Sequence, residues 1–442
     1  MYKTPNGVVM LRTIIRPSEA LANFVDQLEQ PFNQAQEAHV LRIVEGLIVG
    51  RGRKTLSQIY AEWVDAPDAS AVADCLRQSP WDDAPLNKAL AKHSLTTLIE
   101  QETDTYGSVP TVYASLDDST TSKDKDTTAL EGVDWQHDHN AKGKKGSAKY
   151  KKGMVHVSCH VQIGAHRIPY TYRMYLRRKT LKRLNQERPK GERIRFKTKN
   201  QLAKEILTAL KADLPKGVRV YVLFDSWYAS AKLLKFIRRQ GKRWFALGAI
   251  KSNRLLNGKK LSQWTKDLKH THYDSVQLTS ATGKKTTYLT RTIKGQLKDV
   301  GVDVCVVISK RHHRDSQPKY YLCSDTHLSA AKILKRYSNR WAIELEYWLL
   351  KQCLGLGDFR VQHYEAIHKW YSLVYLSLHF LHYQLIVSQQ NPTPFHSIAQ
   401  VIEHHRAQHA QALLLAACDQ AIADGNTDGV LERFVVPTQI AA

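Results

Sequence analysis

The sequence predicts an α/β fold: a mixed sheet with helices packed between its strands, flanked by helical regions at both ends. Three observations carry that expectation. From about residue 110 the apolar pattern changes from a helical period to short β-branched runs. One of those runs, VRVYVLFD (218–225), is apolar without alternation, as a strand covered on both faces should be. Between the later strands lie amphipathic segments of helical period, so the elements read β-β-β-α-β-α-β.

In order along the chain, residues 1–105 read as helical. SEALANFVDQLEQ opens on a Ser cap, and EAHVLRIVEGLIVG ends in the Gly expected past a helix terminus. Thr55 is a candidate cap for the helix that begins beside it, and LNKALAKHSLTTLIEQE follows. Short helices around the basic turn Arg51, Arg53 and Lys54 suit a helix-turn-helix-like DNA module. TVYASLDD (111–118) is the first core strand, and MVHVSCHVQIG and RIPYTYRMYL form a hairpin. NQLAKEILTALKADL is a helix, VRVYVLFD a strand, SAKLLKFIRRQG a helix and KRWFALGAI a strand. The stretch 255–325 is β-rich and polar and reads as an insertion, and residues from 364 onward read as helical. The apolar run at 371–387, broken by His379, His382 and Gln384, falls short of a membrane span and reads as a buried helix.

Charge narrows the function. The 442 residues carry 65 Lys+Arg against 41 Asp+Glu, a formal net charge of +24. The isoelectric point is near 9.7, and a mean hydropathy of −0.42 fits a soluble globular chain. Residues 142–199 hold 19 Lys or Arg and two acids, Glu187 and Glu192. Such a surplus calls for a polyanion, bound by counterion release from a phosphate backbone, rather than a membrane surface. The candidate DNA contacts in this tract are Lys144, Lys145, Lys149, Lys151, Lys152, Arg177, Arg178 and Lys179. DWQHDHN (134–140), just before it, reads as a solvated loop near DNA, because adjacent His-Asp-His cannot all reach one ion without a tight turn. Six scattered cysteines with no CxxC pair fit reduced thiols in a cytoplasmic protein and exclude a zinc ribbon. The N-terminal residues lack the pattern of a cleavable leader.

YSNRWAIELEYWLLKQCLG (337–355) has the apolar density of a buried helix, yet it keeps charges. At about 100° per residue, Tyr337, Arg340, Glu344 and Lys351 fall on one stripe. Ile343, Tyr347, Leu350 and Leu354 line the apolar stripe beside it, and Glu346 points away from Glu344. An ordinary i,i+4 ion pair between Arg340 and Glu344 is the plain alternative.

A three-stranded antiparallel start followed by helix and parallel strand is the order of the ribonuclease H-like (retroviral integrase-like) fold. There, acids ending the first and fourth strands lie side by side, and a glutamate from a later helix joins them. Such a cluster suits two Mg²⁺ (or Mn²⁺) ions about 3.5–4 Å apart, clamping the attacking and leaving oxygens of a phosphodiester. The second acid is Asp225, at the end of its apolar strand. Asp117 and Asp118 are adjacent candidates for the first; alternation sets Asp118 on one face with Val112, Ala114 and Leu116 and Asp117 on the other, which favours Asp118.

These residues carry a resemblance. YSNRWAIELEYWLLK matches the Y-(2)-R-(3)-E-(6)-K signature of DDE-type bacterial insertion-sequence transposases of the insertion sequence four superfamily. LDDSTT and LFDSWYAS resemble that group's two Asp motifs, so the likeness runs from about 107 to 360. The group's pattern sets its first acid immediately before a Ser/Thr pair, which favours Asp118. The resemblance implies a metal-binding set of Asp118, Asp225 and Glu344, with Tyr337, Arg340 and Lys351 on DNA phosphates. It implies a transposase that binds its terminal inverted repeats, cleaves the ends and joins the 3′ ends to target DNA. It further implies a homodimeric synaptic complex, with no small-molecule cofactor. The expected domains are a helical DNA-binding region (1–105), a catalytic core (106–254 and 326–363), a β-rich insertion (255–325) and a helical C-terminal region (364–442) for dimerisation or DNA contacts. A ribonuclease H-like nuclease or resolvase, or a domesticated DNA-binding protein without catalysis, are the alternatives.

Overall fold

The structure, a computed structural model, describes residues 3–4, 7–66, 68–108, 110–137, 150–280 and 283–437. Two short N-terminal strands, β1 (Lys3–Thr4) and β2 (Gly7–Leu11), precede helices α1 (Glu19–Asp26), α2 (Gln34–Val49), α3 (Leu56–Ala61), α4 (Ala69–Arg77) and α5 (Asp83–Tyr106). The central region holds β3 (Val112–Ser122), β4 (Asp134–His137), β5 (Tyr150–Ile163), β6 (His166–Tyr175), α6 (Arg178–Leu184), α7 (Lys199–Asp213), β7 (Val220–Phe224), α8 (Ala231–Arg239) and β8 (Trp244–Ala249). Then come β9 (Leu255–Leu256), β10 (Lys259–Lys260), α9 (Leu261–Asp267), β11 (Asp274–Thr279), β12 (Lys285–Gln296), β13 (Asp303–Lys310) and β14 (Lys319–Cys323). The chain closes with α10 (Ala330–Ser338), α11 (Ala342–Trp348), α12 (Tyr364–Val387), α13 (Ile398–Asp424), α14 (Asp428–Phe434) and β15 (Val435–Pro437).

One ten-stranded mixed sheet organises the molecule, in the order β11-β12-β13-β14-β8-β7-β3-β5-β4, with β6 also paired to β5. The β3–β7 and β7–β8 pairings are parallel, while β5 runs antiparallel to β3 and to β6. Every residue of β7 is buried, which explains its unbroken apolar run. The two helices that return the chain to the parallel strands are capped by hydroxyls. The Thr198 side chain accepts from Gln201 N–H at the start of α7, and Ser230 from Leu233 N–H at the start of α8.

The sheet's two faces have different covers. Val112, Ala114 and Leu116 of β3 share a core with Leu202 and Ile206 of α7 and Leu233 of α8. Tyr221 and Leu223 of β7 pack on the other face with Ile333 and Tyr337 of α10. A third core joins the N-terminal helices to α11 and α12, so residues 1–105 do not close a hydrophobic core of their own.

The β-rich stretch 255–325 extends the central sheet, because β14 pairs with β8 and β11 to β14 continue from it. The structure departs from the sequence reading in two places. β2 pairs with both β1 and β15, so the described ends of the chain meet in a small sheet whose strands are too short for sequence periodicity to reveal. The helix expected over 337–355 is interrupted by a 3₁₀ turn at Asn339–Trp341 and a π turn at Leu349–Cys353. Each changes the angular step, so Lys351 does not sit where a uniform helix would put it.

Candidate active site

The site forms where β3 and β7 end together. Their parallel register pairs Leu116 with Phe224, and one step further lie Asp117 and Asp225. The odd-numbered side chains of these strands face α10 and the turn that follows it, which carries Arg340. Asp117 therefore points toward the helix bearing Glu344. Arg340 joins them: its Nη1 lies 3.1 Å from Asp117 Oδ2 and its Nη2 2.5 Å from Glu344 Oε1. The i,i+4 pair that geometry allows is present, and the same guanidinium reaches across to the sheet.

Asp225 is held by its own turn. Its Oδ1 accepts the backbone N–H groups of Trp227 and Tyr228, at 2.9 and 3.3 Å. Burial, followed by the charge of Asp225, pushes the Asp117 carboxyl up to about 7, even though Arg340 opposes the shift. The same burial, with Asp225 and Asp117 adding, raises the Tyr337 hydroxyl pKa. The Tyr337 ring lies 4.8 Å from that of Tyr321 and lines a cavity of about 240 Å³ with Arg340 and Trp341.

Asp118 is not part of this cluster. It occupies the other face, where Lys199 Nζ sits 2.6 Å from Oδ2 and the Tyr228 hydroxyl donates to Oδ1 at 3.0 Å. The faces of β3 are those that strand alternation assigns, and the late helix packs on the face of Asp117. Through Arg340 the structure groups Asp117, rather than Asp118, with Glu344.

Glu346, two residues from Glu344, is fully buried. Arg167 Nε lies 3.1 Å and His382 Nε2 2.9 Å from its two oxygens. His382, His160 and Arg167 hold its carboxyl down to about 2 against the cost of burial. Lys351 donates to the Thr120 carbonyl at 2.9 Å, a link to β3 near the acids.

The basic tract is spread over several elements. Lys144, Lys145 and Lys149 lie outside the described residues, as do Asp138, His139 and Asn140 of DWQHDHN, whose first four residues form β4 rather than a loop. Lys151 and Lys179 are exposed. Lys152 donates to the Lys125 carbonyl at 3.0 Å, Arg177 donates to the Trp135 carbonyl, and Arg178 lies over the Phe196 ring at 4.4 Å. Lys54, expected in a basic DNA-facing turn, is instead buried, and its ammonium donates to the carbonyls of Gly46 and Gly50. Sequence reasoning also passed over Lys199, Trp227 and Tyr228; an aromatic pair directly after an acid that ends an apolar strand was the available signal.

The donor set fits a hard divalent cation: carboxylate oxygens, one of them made proton-avid by burial beside another negative charge. Among the described residues no three His, Cys, Asp or Glu side chains already stand in single-ion geometry. Asp117 and Glu344 are one guanidinium apart.

Two acids ending neighbouring parallel strands, with a glutamate brought in by a later helix, define a class of polynucleotide-cutting domain, and sequence comparison specifies it. Residues 24–259, more than half of the chain, match the DDE superfamily endonucleases, and the chain belongs to that family. Residues 197–380 also match the transposase DDE domain. Among solved structures, a piggyBac transposase synaptic complex with hairpin DNA, determined by cryo-electron microscopy, is similar at 11% identity and a TM-score of 0.45, over 98% of this chain and 87% of that one. No curated protein matches the chain. Among the described residues, no helix is long and apolar enough to cross a membrane.

Proposed function

We propose that this protein is a DNA transposase of the insertion sequence four type. In this reading it binds the terminal inverted repeats of its element, cleaves the ends and joins the 3′ ends to target DNA. The observation that carries it is the convergence of Asp117 and Asp225, at the ends of neighbouring parallel strands, on the helix bearing Glu344. The strand order β6-β5-β3-β7-β8 supports a ribonuclease H-like core.

Asp117, Asp225 and Glu344 would hold two Mg²⁺ or Mn²⁺ ions. When bound, these would polarise the phosphodiester and stabilise charge on the attacking and leaving oxygens. The chain's own groups perform the remaining work. The Trp227 and Tyr228 N–H groups fix the orientation of Asp225. Arg340 keeps Asp117 and Glu344 together and offers the remaining face of its fork to a phosphate oxygen, with Tyr337 beside it. Lys351 ties the segment that follows the Glu344 helix to the Thr120 carbonyl of β3. The exposed cations from Lys151 to Lys179 supply sequence-independent affinity for double-stranded DNA. Residues 1–105 are assigned to end recognition, and 364–442 to dimerisation in the synaptic complex or to DNA contacts. The protein would act in the cytoplasm, at the nucleoid.

The choice of first acid tests the reading. With Mn²⁺ and DNA carrying the element's inverted repeats, Asp117→Asn abolishes strand cleavage and leaves end binding intact. Asp118→Asn retains cleavage, reduced in proportion to any loss of the Lys199 contact. An active Asp117→Asn would end this assignment of the site.

A further inference from the structure

Trp227 is a large ring left open to solvent, 42% exposed, two residues past Asp225. Three contacts hold it there. Its backbone N–H donates to Asp225 Oδ1 at 2.9 Å. Its ring meets the edge of the fully buried Tyr228 ring at 4.8 Å and 72°, and the Tyr228 hydroxyl is itself anchored on Asp118. Lys199 Nζ lies 5.2 Å from the Trp227 ring and 5.4 Å from that of Tyr175. An exposed indole fixed in this way loses little further freedom when something stacks on it.

Charge decides what that something is. Lys199 is the cation at this spot, and Asp118 neutralises it at 2.6 Å. A backbone phosphate would gain little here, because the ammonium already has its counterion. What the surface offers is a flat, preorganised aromatic face, braced by the ion pair behind it. The matching partner is another flat π-system, and base–aromatic stacking is the general means by which proteins hold unpaired nucleic acid. A paired base inside a duplex cannot present its face. Asp118, set aside as a metal ligand, acquires a role as the anchor of this assembly.

We propose that Trp227, braced by Tyr228 and by the Lys199–Asp118 pair, is a stacking subsite for an unpaired nucleobase of the strand being processed at the adjoining carboxylates. The subsite rests on the transposase reading for its purpose but not for its chemistry. Its Lys199–Asp118 brace belongs to the face of β3 opposite the one that Arg340 contacts, so the strand would be held by charge on one side and by stacking on the other.

Binding in EDTA tests it apart from catalysis. Titrating the full-length protein with a labelled oligothymidylate and a blunt duplex of equal length, at several salt concentrations, separates stacking from phosphate contact. Trp227→Ala weakens oligothymidylate binding roughly 10-fold, within the range measured for one stacked base. It leaves duplex binding within about two-fold, and Trp227→Phe recovers most of the loss while Trp227→Leu does not. Because stacking releases no counterion, the salt slope stays that of the unaltered protein; a phosphate contact would reduce it by about 0.7. An equal loss on both probes, a reduced slope, or full affinity in Trp227→Ala overturns the proposal. If the protein stacks the oligonucleotide but cuts no DNA with Mn²⁺, the transposase reading falls and the subsite stands.

Discussion

Glu344 and Glu346 sit two residues apart on one short helix and lead opposite lives. Glu344 keeps about a third of its side chain in solvent and shares Arg340 with Asp117. Glu346 has none in solvent and spends both oxygens on Arg167 and His382. The aspartates of β3 divide likewise: Asp117 faces Asp225 and Arg340, and Asp118 faces Lys199 and Tyr228. Residue type separates neither pair. What separates them is the neighbour across the interface: a carboxylate whose neighbours are other acids and one shared cation remains available for chemistry, and one whose two oxygens are each taken by a separate donor becomes structure. In both pairs the difference is set by element packing on a given face.

The comparison is most severely tested by paired substitutions at the two glutamates. Glu344→Gln removes divalent-dependent cleavage below detection in a single-turnover assay while thermal unfolding stays close to that of the unaltered protein. Arg340→Ala lowers cleavage roughly 10²-fold, as for loss of one preorganised electrostatic contact. Arg340→Lys recovers little of it, because an ammonium cannot bridge two carboxylates as the guanidinium fork does. A melting temperature that falls in step with activity would make Arg340 a structural residue instead. Glu346→Ala does the reverse of Glu344→Gln. Removing one member of a buried ionic cluster costs about 3–5 kcal/mol, so it lowers stability sharply while cleavage per folded molecule persists. If Glu346→Ala abolishes cleavage in fully folded protein, the division between the glutamates is wrong.

Much of this was legible in the sequence. The strands β3, β5, β6, β7 and β8 and the helices between them follow from apolar period, and the 3.6-residue period separated Glu344 from Glu346. Alternation also sorted Asp117 from Asp118 onto opposite faces. Taken alone it favours the face of Asp118, but the face that matters depends on where a helix more than 200 residues later comes to pack. A motif spacing read along one chain does not contain that contact. The joining of β14 to β8 was hidden for the same reason: strand patterns reveal strands, not their partners. Lys54 and Lys199 look like any other lysine in a basic chain until the carbonyls around one and the carboxylate beside the other are seen.

The two regions also differ in how they respond to acid, an effect smaller than those of the substitutions. Behind the Glu344 helix, His156, His160 and His379 are buried. His156 lies among the rings of Tyr347, Tyr371 and Tyr375, with the Lys351 charge also felt there. Burial lowers these imidazoles to about 3, 4 and 3 from an ordinary 6.5. Near His160 the charge of Glu346 opposes that fall, and His382 and Arg167 reinforce it. In the unfolded chain each histidine takes up a proton below about pH 6.5, whereas in the folded chain it stays neutral until the pH is far lower. The unfolded state then binds more protons, so stability falls as the pH drops, by at most about 1.4 kcal/mol per pH unit for each histidine. Glu346, depressed from 4.5 to about 2, adds a further loss as the pH falls below its unfolded value. Asp117 acts with the opposite sign: raised from 3.8 to about 7, it favours the folded state at low pH, and that contribution is lost as the pH rises through about 7. Metal-free protein should therefore melt at progressively lower temperature from about pH 7 down to 5, with His160→Gln flattening the descent. Asp117→Asn should instead raise the melting temperature on the alkaline side and change nothing below about pH 4. A melting temperature that does not change between pH 7 and 5 would mean that the histidines are reached by water, and the contrast between a sealed structural face and an open chemical one would not hold.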